Sequence, residues 1–124
     1  MGLASESKSQ LVLNAVARTT SFTSSDIQVS ARSLSLHINT TAFGTSSNTV
    51  TINGKDLGSG TYYLLLASAA IAANSLIRLR VTPHSLTAAA NSVAIDLVPD
   101  VVQVVVTAGN SNPSTYTLTL VEHV

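Results

Sequence analysis

Apolar and polar residues alternate strictly in several parts of this chain, and this pattern constrains the fold more than any other feature. The alternation runs through four segments, at positions 34–39, 49–53, 77–82 and 115–120. Because successive side chains of a β-strand point to opposite faces, each segment would bury one apolar face and leave one polar face in solvent. The segments are also rich in Val, Ile and Thr, which pleated sheets favour. The pattern therefore predicts strands rather than helices.

Turn-forming sequences separate the alternating segments at short intervals, as at Asn53–Gly54, Pro83–His84 and Pro99–Asp100. Many short strands at such spacing are typical of an all-β fold. We predict an antiparallel β-sandwich, jelly-roll-like or Ig-like, with about seven to nine short strands. The predicted strands, some of the early ones merging, lie at about 10–17, 20–23, 26–30, 33–42, 49–54, 61–68, 75–82, 92–97, 100–108 and 114–121.

The length indicates a single domain, because 124 residues fall within the usual size of one. The sequence shows no clear internal repeat and no interdomain linker. Residues 1–9 are small and polar and have no period. We therefore predict a flexible N-terminal arm at 1–9 and a β-sandwich domain at 10–124.

Two predicted strands are apolar on both faces instead of one. They are Tyr62–Leu66 and Val101–Val106, in which Gln103 is the one polar residue. A strand of this kind is either central and covered on both sides or packed against another subunit. The sequence leaves both alternatives open for each strand.

Charged residues are scarce, and their sum is zero. Six basic and six acidic residues make up 10% of the chain, against about 25% in an ordinary soluble domain. A surface of Ser, Thr, Asn and Ala costs little to desolvate, which suits a permanent subunit interface. The other interpretation is a small neutral domain that is simply soluble.

Nucleic acid is not a predicted partner. Binding to phosphates requires clustered Lys and Arg, whereas only Arg78 and Arg80 share one strand face here. The membrane is not a predicted partner either. The most apolar stretch, Tyr62–Ala73, is shorter than the roughly 20 residues that a bilayer requires, and the N-terminus lacks the hydrophobic core of an export signal.

Catalytic, metal and cofactor sites are not predicted. The chain has no cysteine, and His37, His84 and His123 lack the spacing of metal ligands. The carboxylates are dispersed, and no serine lies in a Gly-x-Ser-x-Gly sequence. We therefore predict no catalytic residue, no metal, no cofactor and no small-molecule substrate, and we expect the protein not to be an enzyme.

Sugar binding usually requires exposed aromatic rings, of which Tyr62 and Tyr63 are the candidates in this chain without tryptophan. Adjacent strand residues face opposite ways, so at most one of the two is expected to face solvent. Packing in a core or an interface is favoured over a ligand platform.

Three segments together resemble small virion proteins of tailed bacteriophages. They are INGKDLGSGTYYLLLASAAI (Ile52–Ile71), LRVTPHSLTAAANSVAIDLVP (Leu79–Pro99) and VVVTAGNSNPSTYTLTL (Val104–Leu120). The similarity extends from about Leu11 to Leu120, and its motifs are structural rather than chemical. One departure is the sequence Pro99-Asp100-Val101-Val102, where such proteins often have a Pro-Arg-Thr-Trp-like stretch.

The resemblance implies a structural protein of the virion, either a head decoration (cement) protein or a minor tail or neck component. A cement protein binds the assembled capsid and commonly forms trimers at local three-fold positions. The implied partners are further copies of this chain, as a homotrimer, and the phage major capsid protein. The implied location is the virion, assembled in the cytoplasm of the bacterial host. A carbohydrate-binding adhesion module of a fibre is the alternative from another class.

If the chain is a cement protein, its contacts with other subunits are predicted in the arm, in the loop after Phe43 and in the hairpin around Gly54–Gly60, which exposure and turn chemistry single out. The candidate contact residues are Leu3, Ser7, Lys8, Gln10, Phe43, Lys55, Asp56, Leu57, Tyr62 and Tyr63.

Overall fold

The protein is an all-β sandwich. A computed structural model describes residues 7–84 and 87–123, and these residues form ten strands and no helix. None of them could therefore cross a membrane as a helix. The strands are β1 (Ser7–Arg18), β2 (Phe22–Thr23), β3 (Ile27–Gln28), β4 (Ser33–Ala42), β5 (Thr49–Asp56), β6 (Thr61–Ala67), β7 (Ser75–Thr82), β8 (Val93–Ile95), β9 (Val101–Thr107) and β10 (Ser114–His123).

The strands form two sheets of five. The first sheet has the order β1-β10-β4-β7-β8, and the second has the order β2-β9-β5-β6, with β3 also paired to β9. All pairs are antiparallel except β7 with β8. Among the described residues, β1 and β8 are thus the edges of the first sheet, and β6 is an edge of the second.

The alternating segments occupy the positions predicted for them, with their apolar sides in the core. Leu36 and Ile38 of β4, Leu79 of β7 and Leu118 of β10 are fully buried, and they meet Val50 and Ile52 of the other sheet in one cluster. Sheet-on-sheet packing of this kind removes one face of each strand from water, which is the main stabilising contribution.

The predicted strand number, seven to nine, is too low, because β2 and β3 remain separate strands. Both pair with β9. Between them, Ser24 donates its backbone N–H to the Val104 carbonyl at 2.8 Å and accepts the Val104 N–H on its hydroxyl at 2.9 Å. A side chain therefore replaces the backbone ladder at this point and divides what would be one strand.

The two strands that are apolar on both faces occupy different positions in the second sheet. β9 lies inside the second sheet, between β5 and the short β2 and β3. Its residues Val102, Val104 and Val106 are buried in the core. β6 instead lies at the edge, and its residues 61–64 are exposed.

The first strand begins inside the segment 1–9 that was predicted as an N-terminal arm. β1 begins at Ser7 and pairs with the last strand, so that Lys8 lies opposite Glu122 and Ser9 opposite Val121. Residues 7–9 are too polar to show a core-facing pattern, but β10 extends far enough to supply their backbone partners. Residues 1–6 lie outside the described part of the chain.

Candidate interaction surface

The hairpin between β5 and β6 has an ordered tip. Asp56 accepts a hydrogen bond from the Ser59 hydroxyl at 2.6 Å and another from the Gly58 N–H at 3.2 Å. These two bonds hold the pKa of Asp56 below its ordinary value, and the bond from the Ser59 hydroxyl has the larger effect. Leu57 stands at the tip with 61% of its surface exposed. The turn therefore presents an apolar side chain on a fixed backbone.

A cluster of three side chains ties this hairpin to the loop between β2 and β3. Lys55 Nζ lies 2.6 Å from one carboxylate oxygen of Asp26, and the Tyr62 hydroxyl donates to the other. Lys55 Nζ also lies 5.5 Å from the centroid of the Tyr62 ring, within the range of a cation–π contact. We call Asp26, Lys55 and Tyr62 the Asp26 cluster.

The cluster shifts the titration of all three members. The hydrogen bond from Lys55, followed by that from Tyr62, lowers the pKa of Asp26. The bond to Asp26 raises the pKa of Lys55 and also that of Tyr62. All three groups are solvent-accessible, so the cluster orients the hairpin more than it stabilises the fold.

Acid should open the Asp26 cluster. Because the pKa of Asp26 is lowered from 3.8, the folded state favours the carboxylate. This stabilisation is present above pH 3.8 and is lost as the pH falls through the lowered pKa. The raised pKa of Lys55 has the opposite sign, so its contribution is present below pH 10.5 and is lost as the pH rises through the raised value.

The measurement is the urea midpoint of the wild type minus that of Asp26→Asn, followed across the pH range. We expect a difference that is constant near neutral pH and shrinks at both extremes. Tyr62→Phe removes one donor but keeps the ion pair, so the acid dependence should persist in that variant. A difference that does not change with pH would contradict the cluster.

Tyr63 lies on the other side of β6 and packs across Gly54 of β5. A Cβ atom built on Gly54 would lie 2.5 Å from Tyr63 Cζ, so the ring occupies the space of the missing side chain. Tyr62 and Tyr63 are 37% and 43% exposed. The prediction that at most one of them faces solvent is wrong, because an edge strand opposite a glycine leaves both of its sides open.

Further exposed apolar residues lie on β6 and on β8 of the other sheet. Leu64 is 64% exposed, and it shares the outer face of the sheet with Tyr62, since they pair with Asn53 and Lys55 of β5. β6 also contacts β8, where Ile95 is exposed. We call Tyr62, Tyr63, Leu64 and Ile95 the β6 surface. It is the main candidate interaction surface.

The remaining candidate residues fall into separate places. Lys8 and Leu57 line one groove of about 550 Å³ together with Asp100 and Glu122. Gln10 is exposed on β1. Of the other two arm residues, Leu3 lies outside the described residues, and Ser7 is described only in its backbone.

Phe43 lies at the end of the sandwich opposite Lys8. β4 pairs with β10 from Ser33 opposite His123 to Ala42 opposite Thr115, so residues that precede and follow β4 lie at opposite ends. Phe43 is half-buried, and its backbone N–H donates to Asn74 at 2.7 Å. The structure therefore does not bring Phe43 together with the hairpin.

The polar face of the first sheet shows no metal-binding arrangement. Burial, followed by the charges of Arg78 and His123, lowers the pKa of His37. Within residues 7–84 and 87–123, no three His, Cys, Asp or Glu side chains are grouped so that they could hold a metal ion.

Sequence reasoning missed Asp26, Leu64 and Ile95. Asp26 is distant in sequence from Lys55, and nothing local indicates their contact. Leu64 does carry a signal, because it lies in the strand that is apolar on both faces. Comparison of the chain with protein-family models, with curated proteins and with solved structures gives no match.

Proposed function

We propose that this protein is a non-enzymatic structural component of a tailed-phage particle, and that it binds the assembled head as a decoration protein. The observation that carries the proposal is a set of exposed apolar side chains, with Leu57 at the hairpin tip assigned to the head and the neighbouring β6 surface assigned to other copies of this chain. Large apolar side chains are held in solvent there on a fixed hairpin. Clustered exposed apolar residues of this kind are typical of protein-binding surfaces.

The mechanism requires no chemical reaction. A protein that binds the assembled lattice but not the separated capsid subunits stabilises the lattice by mass action. The scarcity of charge fits this role, because few ions have to be desolvated when the surface is covered. The proposed partners are the major capsid protein and other copies of this chain, and the proposed location is the virion.

Pre-organisation favours the hairpin as the contact element. Asp56 fixes the turn, and the Asp26 cluster fixes the part of the hairpin next to the turn against the β2–β3 loop. Binding therefore immobilises few additional side chains, which lowers the entropic cost of association. Leu57 projects from this support and would enter an apolar pocket of the capsid surface.

The test is co-sedimentation with heads of the phage that encodes the chain, after removal of the native protein. We expect the wild type to bind in hundreds of copies and to raise the temperature at which the heads rupture. Leu57→Lys should weaken binding about tenfold or more, because a charge replaces an apolar anchor. The matched control is Leu76→Lys, since Leu76 is 64% exposed on the outer face of β7.

Two results would contradict the proposal. One is wild-type protein that stays in the supernatant at saturating head concentration. The other is equal weakening by Leu57→Lys and Leu76→Lys. Recovery of the chain from purified tails in tens of copies would instead indicate the tail or neck component, because a ring has far fewer positions than a capsid lattice.

Exposure of Tyr63 favours one further candidate, the carbohydrate-binding adhesion module. The Tyr62 ring is engaged by Lys55 and its hydroxyl by Asp26, whereas Tyr63 packs on Gly54 and leaves part of its ring in solvent. A single ring is a poor sugar platform. Glycan binding that Tyr63→Ala abolishes would be the signature of this function.

A further inference from the structure

We infer that β6 of one copy pairs antiparallel with β6 of a second copy across a two-fold axis. β6 is an edge strand, so its outward-facing backbone N–H and C=O groups have no strand partner among the described residues. Unpaired edges of this kind add a further strand readily unless the sequence protects them.

The other edges are better protected than β6, whose one register shift, at Leu65, lies beyond the residues 61–64 at the exposed end of the strand. β1 carries two register shifts, between Leu11 and Leu13 and between Leu13 and Val16, and bulges of this kind hinder pairing. β2, β3 and β8 have only two or three residues each. β6 has seven residues, TYYLLLA, with no proline and no charge.

The side chains of β6 are complementary to those of a second β6. Tyr62 and Leu64 share the outer face, and Tyr63 lies between them on the other side. In an antiparallel pair centred on Tyr63, the Tyr62 of each copy lies opposite the Leu64 of the other. Aromatic–aliphatic cross-strand pairs are favourable. Because the strand has no charge, a second copy meets no repulsion between like charges.

The residues of this edge are already held in place. The Asp26 cluster holds the Tyr62 side chain, and Gly54 supports the Tyr63 ring. Pairing would join the second sheets of both copies into one continuous sheet and would bring Ile95 of β8 close to the contact, since β6 contacts β8. Few rotamers are lost, which favours association.

The size of the contact sets the expected affinity. A seven-residue strand is about 23 Å long, and two packed sheets with their side chains are about 20 Å deep. The area of this edge of the molecule is therefore smaller than the roughly 800 Å² per partner of a standard stable interface. We therefore expect a dissociation constant in the micromolar range, so that the dimer forms at high local concentration.

The first experiment is sedimentation equilibrium of the full chain without heads, over a wide range of concentration. We expect the mass to rise from 12.8 kDa to twice that value. Leu64→Lys should raise the dissociation constant about tenfold or more, because two lysines would lie within one contact. The matched control is Leu11→Lys, which alters a 61% exposed leucine on β1, the edge of the first sheet remote from β8, and should leave the constant unchanged.

The second experiment uses the absence of cysteine in this chain. Tyr63→Cys places the only thiol at the two-fold axis, where opposite Cα atoms of paired strands lie about 4.5–5.5 Å apart, within disulfide range. Mild oxidation should therefore cross-link this variant in high yield. Leu11→Cys should remain largely monomeric under the same conditions.

Three results would overturn the two-fold pair. They are a wild type that stays monomeric at the highest concentration, a mass that levels off at a trimer, and cross-linking of Leu11→Cys as fast as that of Tyr63→Cys. The trimer that the resemblance implies would join two different surfaces of the chain in a ring. Because these measurements contain no heads, failure of the pairing would leave the proposed head binding to its own test.

Discussion

Replacing Gly44 by alanine should lower the free energy of unfolding by about 3 kcal/mol or more. Gly44 has a φ of 62°, in the left-handed region, where an L side chain costs roughly 1–2 kcal/mol. A Cβ atom at this position would also lie 1.8 Å from the carbonyl oxygen of Pro113. Neither of the two backbones can yield without a shift of its loop, so the two costs add.

The matched control is Gly60→Ala. Gly60 has a φ of 75°, but no heavy atom lies within 4 Å of the position of its added Cβ. Its cost should therefore be about 1–2 kcal/mol, from the backbone conformation alone. Urea unfolding followed by far-UV circular dichroism measures both variants. A Gly44→Ala variant that is no less stable than Gly60→Ala would show that the loop after β4 does not contact Pro113.

This contact matters for the candidate surfaces because it fixes one end of the sandwich. The loop after β4 also bonds to the loop before β10, since Asn112 Nδ2 donates to the Thr45 hydroxyl at 2.8 Å and Asn110 Nδ2 to the Thr45 carbonyl at 3.0 Å. Phe43 therefore belongs to a braced end of the molecule. A surface for a partner at this end would be rigid and separate from the hairpin.

The sequence predicted the strands closely because the information for them is local. Alternation assigns each residue of 34–38 or 77–81 to a face without any knowledge of its neighbours, and a sandwich buries that face whatever the strand order. Turn residues such as Asn74 and Pro99 then mark where strands begin, since β7 starts at Ser75 and β9 at Val101. The sandwich fold and the positions of the strands could thus be predicted from these residues.

The place of each strand within a sheet could not be predicted in the same way. β6 and β9 have nearly the same apolar pattern, yet one is an edge and the other is internal. The difference depends on pairing with strands that are distant in sequence, such as Ile27 of β3 with Val102. For the same reason the sequence did not predict that β1 includes residues 7–9, because their strand partners lie near residue 122, at the other end of the chain.

The candidate surface could be predicted in part. Lys55, Leu57, Tyr62 and Tyr63 belong to one hairpin, and their proximity follows from the turn between them. Asp26 joins them only because β2 and β3 pair with the far side of β9, which no local pattern reveals. Sequence reasoning therefore finds the hairpin but not the carboxylate that holds it.

Replacing Asn48 by alanine should also cost about 3 kcal/mol, for a different reason. Asn48 is 7% exposed, and its amide group connects the hydroxyls of Ser46 and Ser114, two residues that are each 2% exposed. Its Oδ1 accepts from Ser46 at 3.1 Å, and its Nδ2 donates to Ser114 at 2.8 Å. Alanine removes both bonds, leaves a small cavity and leaves the Ser114 hydroxyl without its donor in a buried place.

A double-mutant cycle with Ser114→Ala separates the hydrogen bond from the lost packing. If Asn48 and Ser114 are bonded, each single variant leaves the other member of the pair without this bond, whereas the double variant removes both members. Its cost should then be smaller than the sum of the single costs by about 1 kcal/mol or more. Asn39→Ala, on an exposed part of β4, should stay within about 0.5 kcal/mol of the wild type. Additive costs for Asn48 and Ser114 would contradict the buried bond, and with it the brace between these two loops.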